Sequence, residues 1–344
     1  MKILYAIQGT GNGHLSRARD IYPELKKYGD VDILISGYQV DLNLPFPVTY
    51  RLKGLSFIFG KHGGVSLWDT FKRMDPIRFF KDIFQLPIEE YDLVVNDFEP
   101  LSAWACKLRK VPCIALSHQS AVLNAAAPKP KNTGLIGKFV LKYYAPFTEQ
   151  YGFHFNSYDE GIYPPVIRKE IQALQPSDGN HYTVYLPAYN DTDLIRFLHK
   201  FKGVTWEVFS KHNSEPFCFE NISIMPVQNE AFIKSLSECK GALLGAGFEG
   251  PAEALYLQKK LMVIPMKRQY EQQCNAAALE RLGVPVIPSL SLKHLSIVNQ
   301  WIDSEEKIEL QFPRETASIA IEKMLEDYIN NSAQTLNRSM PKFS

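Results

Sequence analysis

The segment from Gly241 to Ala276 constrains the fold more than any other part of this 344-residue chain. Its pattern predicts a short apolar strand at Gly241–Leu244, a helix at Ala252–Gln258 and a second apolar strand at Leu261–Ile264. A turn with three glycines precedes the helix, and a polar loop at Lys267–Gln273 follows the second strand. Buried strands that alternate with helices are typical of parallel sheets, so the segment predicts an α/β fold.

The glycine-rich turn suits an anionic ligand. Gly245, Gly247 and Gly250 allow the backbone to turn tightly and to approach a ligand, and Pro251 suits the first helical position. The unpaired N–H groups and partial positive charge at a helix N-terminus stabilise a phosphate. Glu253 lies about one turn inside the helix. Together with the polar loop, these features predict a site for a nucleotide sugar.

This segment resembles the donor-binding signature of GT-B glycosyltransferases. It is similar to that of the family-one UDP-sugar transferases and of the GlcNAc transferase that makes the peptidoglycan lipid precursor. In these families the turn holds the diphosphate, a Glu holds the ribose, and an acid–Gln pair followed by Asn-Ala lies beside the sugar. The resemblance implies a set of donor-binding residues: Gly245, Ala246, Gly247, Phe248, Gly250, Glu253, Glu271, Gln272 and Asn275.

Two positions depart from the family-one pattern. Gly245 stands where that family has His, and Gly250 stands where it has Ser or Thr. Both of those side chains contact phosphate in the family, so here the contacts would come from backbone N–H groups or from other side chains. The resemblance therefore favours a UDP-linked donor without fixing the nucleotide. The alternative is a glycine-rich turn of the kind found in any α/β protein.

A second glycine-rich loop follows the predicted N-terminal strand Lys2–Ile7 and precedes a predicted helix at Leu15–Tyr28. A dinucleotide fingerprint requires Gly where His14 stands and an acid where Ser36-Gly37 ends the next strand. The loop instead resembles the Gly-Gly-Thr-Gly-Gly-His loop of GT-B transferases. That resemblance implies acceptor-side positions at Gly11, Asn12 and Gly13.

His14 and Asp97 are the candidate catalytic residues. Transfer to a hydroxyl requires removal of its proton, and imidazole titrates near neutrality, so His14 is a candidate general base. The alternative for His14 is a structural hydrogen bond. Asp97 ends a predicted buried strand at the ligand-binding edge, where it would orient His14 and stabilise its charged form. A helix N-cap is the equal alternative for Asp97.

His118 and Gln119 follow the next predicted strand, Ile114–Leu116. They match part of a His-Glu-Gln-Asn run that faces the acceptor side in the peptidoglycan transferase. This partial match implies that both residues lie on the acceptor side of the cleft.

The chain length suits two domains, and Tyr163-Pro164-Pro165 predicts a stiff connection between them. The resemblance implies the GT-B fold, with two Rossmann-like domains whose parallel sheets face an inter-domain cleft. We expect an acceptor-binding domain at 1–163, a donor-binding domain at 164–331 and a loose tail at 332–344.

Composition excludes few partners. The net charge of +1 gives no indication of a nucleic-acid partner, and the five cysteines lack metal or disulfide spacing. The chain has no 18-residue apolar run and no signal peptide pattern, so we expect a cytoplasmic protein. No cofactor or metal is expected. Asp191-Thr-Asp193 has the form of a metal motif but fits a helix cap better.

Basic and aromatic residues alternate at 57–81 and at 129–144. Such segments can contact an anionic membrane surface, which would suit a lipid-linked acceptor. The alternative is two amphipathic helices that pack on the N-terminal sheet with solvated lysines.

The sequence thus predicts a hexosyltransferase-type glycosyltransferase that moves a sugar, with inversion, from a nucleotide-diphosphate donor to an acceptor hydroxyl. Two alternatives stay open: a nucleotide-sugar 2-epimerase of the same fold and a non-catalytic nucleotide-sugar-binding protein.

Overall fold

The computed structural model describes residues 1–10, 12–37, 44–54, 75–131 and 135–339. Within these ranges the strands form two sheets, one of seven strands and one of six. The chain completes the first sheet before it begins the second, and helices connect most successive strands. These two layers of strands and helices confirm the predicted α/β class.

The first sheet is entirely parallel. Its strands are β1 (Lys2–Gln8), β2 (Asp30–Ser36), β3 (Tyr50–Leu52), β4 (Leu93–Asp97), β5 (Cys113–Ser117), β6 (Glu149–Phe153) and β7 (Ile162–Tyr163). They lie in the order β3-β2-β1-β4-β5-β6-β7. The reversal of strand order at β1 and β4 is a topological switch point, where α/β sheets bind ligands beyond the carboxyl ends of the strands.

The second sheet is parallel except for its edge strand β10. Its strands are β8 (His181–Tyr185), β9 (Thr205–Ser210), β10 (Phe217–Phe219), β11 (Ile222–Pro226), β12 (Gly241–Gly245) and β13 (Lys260–Ile264). They lie in the order β10-β11-β9-β8-β12-β13. Strand β12 occupies the position beside β8, so the glycine-rich turn also begins at a switch point.

Helices cover the sheets. They are α1 (Asn12–Leu25), α2 (Pro76–Gln85), α3 (Pro100–Arg109), α4 (His118–Leu123), α5 (Leu135–Tyr143), α6 (Lys169–Gln172), α7 (Asp191–Leu198), α8 (Asn229–Glu238), α9 (Glu249–Tyr256), α10 (Tyr270–Arg281), α11 (Leu295–Asp303) and α12 (Thr316–Ser339). Among the described residues, no helix is both long enough and apolar enough to cross a bilayer.

Two predicted helix caps are wrong, and one helix begins earlier than predicted. Helix α3 is capped by Glu99, whose carboxylate accepts from two backbone N–H groups, so Asp97 is not its N-cap. Helix α7 is capped by Asn190 and not by Asp191. Helix α9 begins at Glu249, which places Pro251 at the third helical position instead of the first.

The last helix returns to the first domain. On α12, the carboxylate of Asp327 accepts from the Tyr151 hydroxyl at 2.7 Å, and the Tyr328 hydroxyl donates to the Asp92 carbonyl at 2.6 Å. This part of the predicted second domain therefore contacts the first domain. The helix continues to Ser339, which corrects the prediction of a loose tail from residue 332.

Candidate functional site

A cavity of about 460 Å³ lies between the two domains. The first domain contributes Gly13 and Ser16, and the second contributes the glycine-rich turn together with Tyr189 and Lys211. This volume lies within the range of about 300–1,000 Å³ that is typical of small-molecule sites. The predicted donor signature and the predicted acceptor loop therefore border one cavity.

The glycines of the turn leave its surface bare. A Cβ atom at Gly247 would meet nothing within 4 Å, and one at Gly245 would only reach carbonyl oxygens at 4.0 Å. Neither glycine has positive φ, so backbone conformation does not require glycine at these positions. Their value is the open space beside the turn, which lets a ligand approach the backbone closely.

Glu253 is buried on α9 and lines the cavity. Arg168 binds it with two hydrogen bonds, from Nε to Oε1 at 2.5 Å and from Nη2 to Oε2 at 2.9 Å. Arg168 also donates to Asn229, and both residues line the same cavity. The Arg168 guanidinium thus holds the carboxylate of Glu253, the residue predicted to bind the ribose. Arg168 also places a positively charged group in the cavity wall.

The three polar residues predicted beside the donor sugar lie on helix α10 and take different positions. Gln272 lines the cavity, and its Oε1 accepts from the Met266 backbone N–H at 2.9 Å. Glu271 instead accepts from Gln119 of the first domain at 3.1 Å. Asn275 is fully buried and donates to the Ala246 carbonyl in the glycine-rich turn at 3.1 Å.

His14 lies at the start of α1 with its Nδ1 only 2.8 Å from Asp97 Oδ1. This contact fixes Nδ1 as the protonated nitrogen, because the buried carboxylate can only accept. Nε2 then carries the lone pair, and the Gln119 amide reaches it at 3.3 Å. Burial lowers the pKa of His14, but the charge of Asp97 and its hydrogen bond outweigh burial and raise that pKa above its ordinary value.

Arg17 joins this pair to the second domain. Its Nη2 donates to both oxygens of Asp97, at 2.8 and 2.9 Å, while Nη1 donates to Glu249 at 2.5 Å. Burial raises the pKa of Asp97, but the charges and hydrogen bonds of Arg17 and His14 together outweigh burial, so this pKa lies below its ordinary value. Asp97 is therefore an anion that is suited to orient His14.

His118 lies against the glycine-rich turn. Its ring stacks on Phe248 with centroids 3.8 Å apart, and its Nε2 lies 2.7 Å from Asn275 Oδ1. Nδ1 lies 2.8 Å from the Phe153 carbonyl, and burial lowers the pKa of this imidazole. His118 was predicted on the acceptor side, and the structure shows that it connects the first sheet to the turn of the second domain.

A sequence model of the family described as "Glycosyl transferase family 1" matches residues 1–301. The chain belongs to this glycosyltransferase family. The match confirms the predicted family.

Three known proteins are similar to this family member. An uncharacterized glycosyltransferase of Methanosarcina acetivorans is 28% identical over 153 residues, which are 42% of this chain and only 39% of that relative. The structure of SnogD from Streptomyces nogalater matches 94% of this chain and 99% of its own, with 14% identity and a TM-score of 0.51. MurG of Acinetobacter baumannii matches 93% and 94%, with 14% identity and a TM-score of 0.52. These structural matches confirm the GT-B fold.

Sequence reasoning missed three charged residues of the candidate site: Arg17, Arg168 and Glu249. Arg17 follows His14 by three positions, which places both on one face of α1. This spacing could have predicted that Arg17 lies beside His14. Arg168 and Glu253 are separated by 85 positions, so no local pattern connects them. Of the predicted acceptor-side positions, Gly11 and the side chain of Asn12 lie outside the described part of the chain.

Metal ligands were not predicted. In the described ranges, no group of three or more His, Cys, Asp or Glu side chains is arranged to hold a metal ion. Asp191, from the candidate metal motif, accepts from Ser210 and Asn213 instead.

Proposed function

We propose that this glycosyltransferase moves a hexosyl group from a nucleotide-diphosphate sugar, favouring a UDP-linked donor, to an acceptor hydroxyl with inversion. The observation that carries this proposal is the His14–Asp97 pair, which lies beside a cavity that the glycine-rich turn also lines. Gly13 and Ser16, on either side of His14, line the cavity themselves. A base and an anion-binding turn that border one cavity suit direct displacement at an anomeric carbon.

In the proposed step, the acceptor hydroxyl gives its proton to Nε2 of His14. The acceptor oxygen forms a bond to the anomeric carbon as the bond from that carbon to the diphosphate oxygen breaks. The nucleoside diphosphate leaves with the electron pair. Asp97 stabilises the imidazolium through the hydrogen bond at Nδ1. Gln119, which reaches Nε2 in the structure, would yield that position to the acceptor hydroxyl.

The donor is proposed to occupy the second-domain side of the cavity. Backbone N–H groups at the start of α9 and the side chains of Lys211 and Arg168 would oppose the charge of the diphosphate. Glu253 would accept from the ribose hydroxyls, since each carboxylate oxygen has lone pairs beyond those that Arg168 uses. Gln272 is the candidate ligand of the sugar hydroxyls.

The acceptor is proposed to be lipid-linked and presented at an anionic membrane surface. Helix α2 exposes three large apolar side chains at helical spacing: Ile77 at 83%, Phe80 at 56% and Phe84 at 66%. Arg78 and Lys81 on the same helix are also exposed. An apolar face flanked by cations is the pattern of an interfacial helix. The predicted segment 57–81 lies mostly outside the described residues, so α2 carries this argument.

The proposal is tested with a panel of nucleotide sugars. Binding of the true donor should raise the melting temperature, since a ligand at 100 times its Kd contributes about 2.7 kcal/mol. Mass balance with candidate acceptors then decides the reaction. Release of nucleoside diphosphate with one equivalent of glycosylated acceptor supports the proposal. An epimerised nucleotide sugar would indicate an epimerase, and binding without any product from a full acceptor panel would indicate a binding protein.

A further inference from the structure

Four charged side chains form a continuous chain from the first domain to the second. His14 contacts Asp97 at 2.8 Å, and both carboxylate oxygens of Asp97 accept hydrogen bonds from Arg17. Arg17 in turn donates to Glu249 at 2.5 Å. The members lie on α1, at the end of β4 and at the first residue of α9. Glu249 also lines the cavity, so the chain of charges runs from the candidate base to the donor side.

Arg17 is placed to connect these groups electrostatically. Its side chain is 2% exposed, and Nη2 lies 3.2 Å from His14 Nδ1 as well as against Asp97. A guanidinium stays charged at all accessible pH values, and its planar fork can bind two carboxylates in fixed directions. In this buried setting its charge acts on His14 with little screening by solvent.

Gly13 makes the contact between the domains close. A Cβ atom at position 13 would lie 2.5 Å from Glu249 Oε2 and 2.8 Å from its carboxyl carbon. Any side chain at this position would therefore push the Glu249 carboxylate away. Glycine at the start of α1 thus allows a side chain of the second domain to reach Arg17 beside the candidate base.

We infer that Arg17 is a positioning residue that makes the base strength of His14 depend on the approach of the two domains, through its ion pair with Glu249. This inference rests on the proposed role of His14. When Glu249 is in contact, it offsets the charge of Arg17, and His14 holds a proton more tightly. When the domains separate, the charge of Arg17 is opposed by Asp97 alone, and His14 becomes a weaker base. His14 would thus be the stronger base when the two domains are in contact, with the glycine-rich turn next to the loop that precedes α1.

The other groups that face His14 are few among the described residues. Gln119 on α4 reaches its Nε2, and Glu271 on α10 acts through Gln119. Both Asp97 and Glu249 raise the pKa of His14, whereas Arg17 lowers it. Removing Arg17 and removing Glu249 should therefore shift this pKa in opposite directions, which a purely structural role would not produce.

The test is an NMR titration of the His14 imidazole, assigned by the signal that His14→Ala removes. A charge in direct contact with a titrating group shifts its pKa by about 1–3 units. Glu249 contacts Arg17 and not His14, so in Glu249→Gln the pKa of His14 should fall by less, by a few tenths of a unit to about one unit. Gly13→Ala should shift it in the same direction by displacing the carboxylate. Arg17→Gln should raise it, and Arg17→Lys, which keeps the charge, should shift it less.

The exposed Glu280 on α10 provides a matched control, since Glu280→Gln removes one charge from the second domain away from His14. An unchanged or raised pKa in folded Glu249→Gln would overturn the inference, even if Arg17→Gln fails to fold. A different result would contradict the proposed function, namely wild-type turnover in His14→Ala. The titration does not depend on turnover, so the two failures can be told apart.

Discussion

His14 lies between a carboxylate that favours its proton and a guanidinium that opposes it. Asp97 has the larger influence, and the pKa of His14 lies above its ordinary value. A general base must be unprotonated to act. We therefore expect kcat/KM to fall as the pH decreases through a pKa above about 6.5, the ordinary value for His.

Replacing His14 gives the corresponding prediction for rate. His14→Ala should lower turnover by about 10²–10⁴-fold and remove the acid limb of the pH–rate profile, while donor affinity stays close to wild type. Asp97→Asn keeps the imidazole, so its turnover should fall less than that of His14→Ala. His294→Ala, on the second domain, serves as the control. Collapse of donor affinity in His14→Ala would show instead that the loop belongs to the nucleotide.

Glu253 gives a second prediction at this scale. If it accepts from the ribose, Glu253→Ala should weaken UDP binding by about 1.5–3 kcal/mol, or roughly 10- to 150-fold in Kd by calorimetry. The same variant should bind 2′,3′-dideoxy-UDP almost as well as wild type does, because that ligand lacks the hydroxyls. Equal losses for both ligands would mean that Glu253 acts only by holding Arg168.

Individual residues show where sequence reasoning succeeds. His14 and Asp97 were paired from the rule that parallel strands present their carboxyl ends at one edge, and they lie 2.8 Å apart. The same rule gives no partner for Glu249, since its contact with Arg17 depends on how two domains meet. The spacing of residues in the sequence does not predict how the two domains are arranged.

At the scale of elements, strands such as β1, β5, β12 and β13 were predicted from short apolar runs, and these runs are almost entirely buried. The edge strands β3 and β10 were not predicted, because their residues are exposed or half-buried. The end of α12 was not predicted to be helical, because the residues from 332 onward are polar and show no apolar periodicity. The glycine-rich turn lies where it was predicted, and of the two roles predicted for its glycines, a tight turn and the close approach of a ligand, the second agrees with the open space at Gly245 and Gly247. They leave space for a ligand and are not needed for the backbone angles.

The open space beside Gly247 leads to a prediction. Gly247→Val should leave the melting temperature nearly unchanged, because no atom lies within 4 Å of the new Cβ and φ is not positive. Donor affinity should fall markedly, since the side chain would occupy the ligand space beside the turn. Calorimetry with UDP checks this. Wild-type affinity in the folded variant would place the diphosphate elsewhere in the cavity.

At the scale of the whole molecule, the two domains meet through side chains from both. Leu141 and Val122 of the first domain form a buried cluster with Tyr270 and Cys274 of the second. A Cβ atom at Gly137 would lie 2.5 Å from Tyr270 Cβ, so α5 packs closely on α10. The expectation that this helix packs on its own sheet was therefore incomplete. Lys138 and Lys142 on the same helix are exposed, as expected.

The proposed membrane surface gives a prediction at this scale. The protein should sediment with anionic vesicles at low salt and be released at high salt, because lipid headgroups attract the exposed cations with about 1 kcal/mol each. Phe80→Ser with Phe84→Ser, and Lys138→Glu with Lys142→Glu, should each weaken sedimentation without lowering the melting temperature much. The control is neutral vesicles. No binding to anionic vesicles at low salt would favour an acceptor free in solution.

The most direct test of the central claim is the anomeric configuration of the product, followed by proton NMR during turnover with the donor from the panel. A single displacement assisted by His14 predicts that the transferred sugar has the configuration opposite to that of the donor. It also predicts that the product signal grows with one equivalent of nucleoside diphosphate, and that it grows about 10²–10⁴-fold more slowly in His14→Ala. Retained configuration, or product formed at the wild-type rate by His14→Ala, would contradict the account.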